Sequence, residues 1–206
     1  TGGGPRPGTG GGTRVAGPSY GLPQMLEAAG IGSLLLDLMT PDEECEEADG
    51  ALRRYDVELL AQRLLACTDA LRAHDVSNGT PIGYFGVGPG AAAALAAAAD
   101  DPAVGAVVCQ AGLPNLLAES TLARLRAPTL LLVGDSAKRL VEVNRAACRW
   151  LGGPSRLSVV EGTRHGFTPV RAQAELTWRA ADWFRYHLGR GAERCEEVAL
   201  PRSQVS

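Results

Sequence analysis

Three side chains that can carry protons or attack an electrophile follow predicted strands. They are Cys109, Asp135 and His165, which come after the apolar runs at 104–108, 129–133 and 157–160. In an open parallel sheet, ligands bind beyond the carboxyl ends of the strands, so these loops form the candidate site. Histidine is the usual proton carrier near neutral pH, whereas cysteine needs a base within reach to act as a nucleophile. A histidine that only hydrogen-bonds its own loop is the alternative for His165.

The clearest local pattern is a strand that turns into a helix through a run of glycines. Residues 82–87 are a short apolar run, and residues 91–99 are almost entirely Ala, the best helix former. Between them, Gly86 to Gly90 has the G-x-S-x-G spacing of a strained turn that displays a nucleophilic serine, with Gly88 at the serine position. A phosphate site at the start of this helix is the alternative, but Pro89 has no N–H to donate.

Helices and strands alternate along the rest of the chain. Helices are predicted after Ser19 up to Gly30 and over 52–73, 116–125, 140–151 and 170–188, with a further strand over 33–38. Residues 1–18 and 40–50 are predicted loops, and the polar tail 189–206 is predicted to fray. This alternation predicts one α/β domain over 1–206, with a mostly parallel sheet and helices on both faces.

The composition is typical of an ordinary globular protein and argues against several classes. With 206 residues, 45% hydrophobic, 21% charged and a net charge of −3, the chain lacks the basic surface of a nucleic-acid-binding protein. It has no apolar run near 18 residues and no signal pattern, so we expect a cytoplasmic protein that does not enter a membrane. Five scattered cysteines favour free thiols over a disulfide framework or zinc site, and no cofactor is indicated.

Two charged features could imitate a site. Lys138, the only lysine, lies in the loop region after Asp135 and invites a Schiff-base or anion-binding role, although a solvated charge is the simpler interpretation. The acidic run 42–47 could imitate a metal site, but nothing fixes its carboxylates in place, so we interpret it as solvated.

Six segments occur in an order and spacing that belong to a known family. They are EAAG at 27–30, LLLDLMTPDEE at 34–44, YDVELLAQRL at 55–64, PIGYFG at 81–86, APTLLLVG at 127–134 and GTRHG at 162–166. From about Gly10 to Leu188 the chain thereby resembles the dienelactone-hydrolase-like branch of the α/β hydrolases. The resemblance implies the α/β-hydrolase fold and a catalytic triad in the chain order serine, acid, histidine.

The positions that match this triad have changed. His165 fills the histidine's place, Gly88 fills the serine's place, and the acid's place falls on Ala137, with Asp135 two residues earlier. In this fold the residue after the nucleophile gives one oxyanion-hole N–H, and here that residue is Pro89. Losing one such donor costs a serine hydrolase about 10²–10³ in rate. The resemblance therefore implies a hydrolase scaffold that has abandoned acyl transfer.

The first residues carry a second departure. Thr1 to Pro5 resembles the HGGG-type oxyanion loop with threonine for histidine, which makes Gly3 a binding candidate. The family places this loop directly after a central strand, between the strands at 33–38 and 82–87. Because no residues here can supply that strand, we expect N-terminal strands to lie outside this sequence. Direct pairing of Leu35 with Tyr84 or Phe85 would exclude that expectation.

Three functions are compatible with these residues. The first is a non-hydrolytic enzyme, a cyclase, isomerase or lyase assisted by His165, that binds a small molecule near Gly88, Pro89 and Cys109. The abundant Ala and Gly and the single lysine suggest a GC-rich bacterium, hence a role in secondary metabolism. The second is a pseudoenzyme that binds a partner as a homo- or heterodimer. The third is a hydrolase with a relocated nucleophile.

Overall fold

The computed structural model describes residues 21–48, 53–74, 79–161 and 170–197. The helices are α1 Leu22–Ala28, α2 Pro41–Ala48, α3 Val57–Ala73, α4 Pro89–Asp100, α5 Glu119–Arg124, α6 Lys138–Ala147 and α7 Val170–Glu197. The strands are β1 Ile82–Val87, β2 Val104–Gln110, β3 Thr129–Gly134 and β4 Ser155–Val160, and two 3₁₀ turns cover Arg53–Tyr55 and Pro114–Leu116. No helix within these ranges combines the length and apolar character needed to cross a membrane.

The four strands form one parallel sheet in the order β1-β2-β3-β4, with helices on both faces. On one face α3 and α4 pack on Tyr84, Val107 and Leu131; on the other, α1 and α7 pack on Val108 and Leu130. Because β2 and β3 are covered on both faces, nearly every side chain in them is apolar. The predicted α/β fold with a parallel sheet and helices on both faces is confirmed.

The strand predicted over 33–38 is wrong. These residues have no regular secondary structure, and Leu34 and Leu35 are 62% and 73% exposed. A strand requires a neighbouring backbone to hydrogen-bond, and in the described part of the chain β1 pairs with β2 alone. Leu35 therefore does not pair with Tyr84 or Phe85.

Two predicted irregular regions contain helix instead. The 40–50 loop includes α2, which begins at Pro41 with three carboxylates in its first turn. Proline is compatible with the first helical position, and carboxylates in the first turn stabilise the helix through their favourable interaction with its dipole. The predicted polar tail 189–206 contains the end of α7, which continues to Glu197. Residues 198–206, like the predicted loop 1–18, lie outside the described residues.

An ion pair fixes the start of α2 to α3. The Arg63 guanidinium donates to both carboxylate oxygens of Glu43, at 2.6 and 2.7 Å, and to the Leu38 carbonyl oxygen at 2.7 Å. Glu43 also accepts from the Thr40 N–H at 2.8 Å, while the Thr40 hydroxyl accepts from the Glu43 N–H at 3.3 Å. This reciprocal pair is a capping box. Arg63 first, and the Thr40 N–H second, lower the pKa of Glu43 to about 2.

Glu43→Gln is expected to lower the free energy of unfolding at pH 7, because the neutral amide loses the ion pair. A carboxyl whose pKa is depressed by folding stabilises the fold fully above its unfolded pKa and ceases to do so as pH falls through about 2. Urea unfolding at several pH values should therefore show a constant difference from wild type above pH about 5, shrinking towards pH 2. The neighbouring Glu44→Gln is the control; an equal loss there would contradict the assignment.

Candidate functional site

The turn between β1 and α4 has an unusual backbone conformation at Gly88. Its φ and ψ are 55° and −123°, a combination that non-glycine residues rarely adopt and that costs them about 1–3 kcal/mol. The Gly88 N–H donates to the Gln110 carbonyl oxygen at 3.0 Å, which ties the turn to the end of β2. The sequence prediction of a strained strand-to-helix turn at this position agrees with this geometry.

In this turn an added Cβ would clash at Gly86 but would have space at Gly88. A Cβ on Gly86 would lie 2.5 Å from the Ala91 Cα, so only glycine fits where α4 crosses the end of β1. A Cβ on Gly88 would have no heavy atom of the described residues within 4 Å, and the same holds for Gly90. Pro89 occupies the first position of α4. Position 88 therefore offers no side chain and position 89 no N–H, and the described residues leave space around the Cβ position of residue 88.

Cys109 lies in the buried part of β2 and has no exposed surface. Strand β2 continues to Gln110, beyond the predicted end at 108, and the Cys109 side chain is fully buried against α4. Its thiol donates to the Ala91 carbonyl oxygen at 3.7 Å, and burial raises the pKa of the thiol strongly. A thiol that stays protonated in an apolar core is chemically inert.

The loop after β2 is fixed beside the turn by a residue that the sequence analysis missed. Asn144 of α6 is fully buried, and its amide nitrogen donates to the carbonyl oxygens of Gly112 and Leu140 at 3.0 and 2.9 Å. Ala111, before Gly112, has a φ of 48°, which is rare for alanine. The Gly112 bond spans 32 positions of sequence, so no local pattern could reveal it.

Asp135 is the first residue after β3, as Gly88 is the first residue after β1, so both lie at the carboxyl end of the parallel sheet. Its side chain is exposed, and its N–H donates to the Val160 carbonyl oxygen at 3.0 Å. Ala137 occupies the N-cap position of α6. The helix begins at Lys138, whose side chain is exposed. Because β1, β2 and β3 are parallel neighbours, Gly88, the 111–113 loop and Asp135 all lie at the carboxyl end of the sheet.

Two predicted site residues, His165 and Gly3, lie outside the described residues, so their roles stay predictions. Within the described ranges, no group of three or more His, Cys, Asp or Glu side chains is placed to hold a metal ion.

Known proteins similar to this chain fall into two groups. The crystal structure of a dienelactone hydrolase from Anabaena variabilis is 35% identical, with a TM-score of 0.79 over 86% of this chain and 82% of that one. A carboxyl esterase 2 from the fungus Tuber melanosporum shares the fold alone, at 16% identity and a TM-score of 0.60, over 84% of this chain and 74% of that one. No family model matches the chain.

The second group consists of sequences from Mycobacterium tuberculosis, strains CDC 1551 and H37Rv. Both are named “Putative phosphoribosyl transferase” and are 40% identical over 166 residues. This match includes 80% of this chain, but the chain spans only 36% of the length of these curated relatives.

Gly86→Ala is expected to destabilise the protein by about 3 kcal/mol, because the new methyl group must displace the backbone of α4. Gly90→Ala is the matched control: it has free space and a helical position, so it should be neutral or stabilise by up to about 1 kcal/mol. Chemical denaturation of both variants measures the difference. Equal stability of the two variants would contradict the close approach at Gly86.

In the native protein, iodoacetamide at pH 8 is expected to modify the exposed Cys45 and to leave the buried Cys109 unmodified. Peptide mass spectrometry gives both rates, and guanidinium should make both cysteines reactive. Modification of native Cys109 as fast as Cys45 would contradict its burial and reopen its case as a nucleophile.

Proposed function

We propose, since this chain belongs to the dienelactone hydrolase family of α/β hydrolases, that its cleft transforms a small molecule without serine-dependent hydrolysis. The reaction class is an isomerisation, cyclisation or elimination. We place it in bacterial secondary metabolism because of the composition of the sequence and its similarity to mycobacterial proteins. These reactions need proton carriers and an open cleft, but no covalent acyl intermediate.

One observation carries the proposal: the turn keeps the strained geometry of a nucleophile turn, while its central residue is Gly88 and the next is Pro89. Acyl transfer needs an attacking side chain and N–H donors for the oxyanion. Removal of the nucleophilic serine alone costs a serine protease about 10⁶ in kcat, and loss of a donor costs about 10²–10³. Neither function can come from Gly88 and Pro89.

The residues left for chemistry are proton carriers. Asp135 lies at the same edge as Gly88, and His165 is predicted in the loop after β4. In an isomerisation, a base removes a proton from one carbon of the substrate and returns it at another, so no atom is gained or lost. In an elimination the base takes a proton while an acid protonates the departing group. General acid–base assistance of this kind is worth about 10²–10⁴ in rate.

The other functions have less support. A relocated cysteine nucleophile is disfavoured because Cys109 is buried and its pKa is raised. A pseudoenzyme would not need space for a substrate, and the described residues leave space around the Cβ position of residue 88. Phosphoribosyl transfer is named for relatives of which this chain spans 36%, and a phosphate at the start of α4 would lack the N–H of residue 89.

Wild-type protein is expected to resist a fluorophosphonate probe and to leave generic esters unhydrolysed. Gly88→Ser should fold with a loss of about 1–3 kcal/mol of stability, because its Cβ has free space but its φ is strained. It should remain about 10²–10³ slower in ester hydrolysis than Gly88→Ser combined with Pro89→Ala, which restores the N–H. Gly90→Ser is the matched control for an added hydroxyl. Labelling of wild type, or ester turnover at an ordinary kcat of about 10 s⁻¹, would refute the proposal.

Mass spectrometry of a panel of small carbonyl compounds tests the reaction class directly. A product of unchanged mass, or one that has lost the elements of water, is expected, and its formation should disappear in His165→Ala. Cleavage of an ester or lactone into its acid and alcohol would instead identify a hydrolase.

A further inference from the structure

The buried amide of Asn144 is only partly satisfied by its hydrogen bonds. Its nitrogen uses both hydrogens, on the Gly112 and Leu140 carbonyl oxygens at 3.0 and 2.9 Å, and only an N–H can meet two carbonyls, so the amide orientation is fixed. Its Oδ1 atom is buried and has no partner within the described part of the chain. An unpaired buried acceptor lowers stability. The bond to Gly112 is therefore kept in spite of a loss of stability, which indicates a function for the loop that it holds.

The loop that Asn144 holds is strained and is anchored on both sides of Gly112. Ala111 has a φ of 48°, a conformation that non-glycine residues adopt mainly at functional sites. The Ala111 N–H donates to the Leu132 carbonyl oxygen at 2.8 Å, and the Leu113 carbonyl oxygen accepts from the Leu116 N–H at 3.0 Å. With the bond from Asn144 to Gly112, the backbone is thus held at three successive residues.

The bond from Asn144 also sets the direction of the next N–H. The chain has no cis peptide bond among its described residues, and in a trans peptide the N–H points opposite to the C=O of the same peptide group. The Gly112 carbonyl and the Leu113 N–H belong to one peptide group, so this N–H points away from Asn144. Within the described part of the chain it donates to no other group, and Leu113 is half-buried. The Leu113 N–H is therefore an available donor.

This donor lies on a loop that is joined to the turn after β1. The Gly88 N–H donates to the carbonyl oxygen of Gln110, three residues before Leu113, so the N–H of the turn is already used. Residue 89 is proline and has no N–H. Residues 88 and 89 thus offer a ligand no backbone donor, whereas the loop beside them holds a free one in a fixed orientation.

We propose that the Leu113 N–H binds the carbonyl oxygen of the substrate, and that Asn144 is the positioning residue that sets its direction. The inference rests on the proposed function, and it names the substrate as a carbonyl compound with a carbon–carbon double bond one carbon away from the carbonyl.

The chemistry explains why a donor is needed there. When a base removes a proton from the carbon beside the carbonyl, the C–H electrons form a C=C bond and the carbonyl π electrons move to the oxygen. Return of the proton to the far carbon of this conjugated enolate shifts the double bond and leaves the oxygen neutral, so no atom is gained or lost. A hydrogen bond to the oxygen is stronger while the oxygen is charged and is worth about 10²–10³ in rate.

Para-nitrophenol tests the donor without turnover, because its phenolate oxygen carries a negative charge as an enolate oxygen does. In protein with ¹⁵N-labelled leucine at pH 8, binding of the phenolate is expected to move the amide resonance of Leu113 further than that of any other leucine. Failure to bind would overturn the proposal. Phenolate held by Lys138 or Arg139 alone would leave the Leu113 resonance unmoved and would overturn it equally.

Replacing Leu113 by its α-hydroxy acid removes the N–H and keeps the side chain. Phenolate binding is expected to weaken at least tenfold, and kcat for isomerisation should fall by about 10²–10³ with little change in KM, because the bond matters most in the transition state. The α-hydroxy acid of Leu117 is the matched control: its N–H donates to the Pro114 carbonyl oxygen at 3.1 Å, so both values should stay unchanged. Equal phenolate affinity of the two esters would refute the proposal.

Asn144→Leu separates positioning from a purely structural function. Alone it should lower kcat as the Leu113 ester does, with KM little changed. In the Leu113 ester it should have almost no further effect, because the donor that it positions is already absent. Effects on kcat that multiply would instead assign Asn144 to the stability of the fold and contradict positioning.

The outcomes also separate this inference from the proposed function. If wild type isomerises a carbonyl compound and the Leu113 ester retains the rate, the proposed function stands and the inference fails. If the Leu113 amide responds to phenolate as expected while wild type converts no carbonyl compound, the oxygen-binding donor stands and the proposed reaction fails.

Discussion

The close contact between the start of α4 and the end of β1 is the constraint on which the site depends. A Cβ added to Gly86 would lie only 2.5 Å from the Cα of Ala91, and a Cβ added to Gly112 would lie 3.1 Å from the Cβ of Ala91. The end of β1 and the loop after β2 thus both pack against Ala91. The buried alanines of α4 extend this contact, because short side chains let a helix lie close to a sheet. Larger residues at any of these points would move the turn away from the strand ends.

Because packing around Gly86 and Ala91 sets the turn, the turn does not depend on the chemistry of residue 88. A side chain at φ 55° costs about 1–3 kcal/mol, and glycine avoids that cost. Glycine at this position thus favours stability, whereas a functional side chain at a strained position lowers it, which is the usual relation between stability and activity. The geometry of the turn therefore does not require a nucleophile at position 88.

The sequence predicted the parts of the fold that have a strong local signal. The doubly covered strands appear as continuous apolar runs such as TLLLV, and the alanine run predicts α4 directly. The end of β2 could not be predicted, because VVCQ contains no residue that typically ends a strand. The prediction therefore placed Cys109 in a loop rather than in β2. Asn144 was not predictable because its partner is a carbonyl 32 positions away. Helix α2 was missed although its capping box, Thr40 and Glu43, is visible in the sequence.

The wrong strand at 33–38 has a different cause, because strand formation belongs to a pair of segments. The apolar run is compatible with a strand, but its ends are fixed to opposite faces of the sheet at Ile31 and Leu38. The bond from Arg63 to the Leu38 carbonyl oxygen holds the segment at its Leu38 end. A backbone without a neighbour cannot complete a ladder, and the leucines of such a segment cannot all turn towards one core. The exposure of Leu34 and Leu35 thus follows from anchoring at both ends rather than from a lack of β propensity in the sequence.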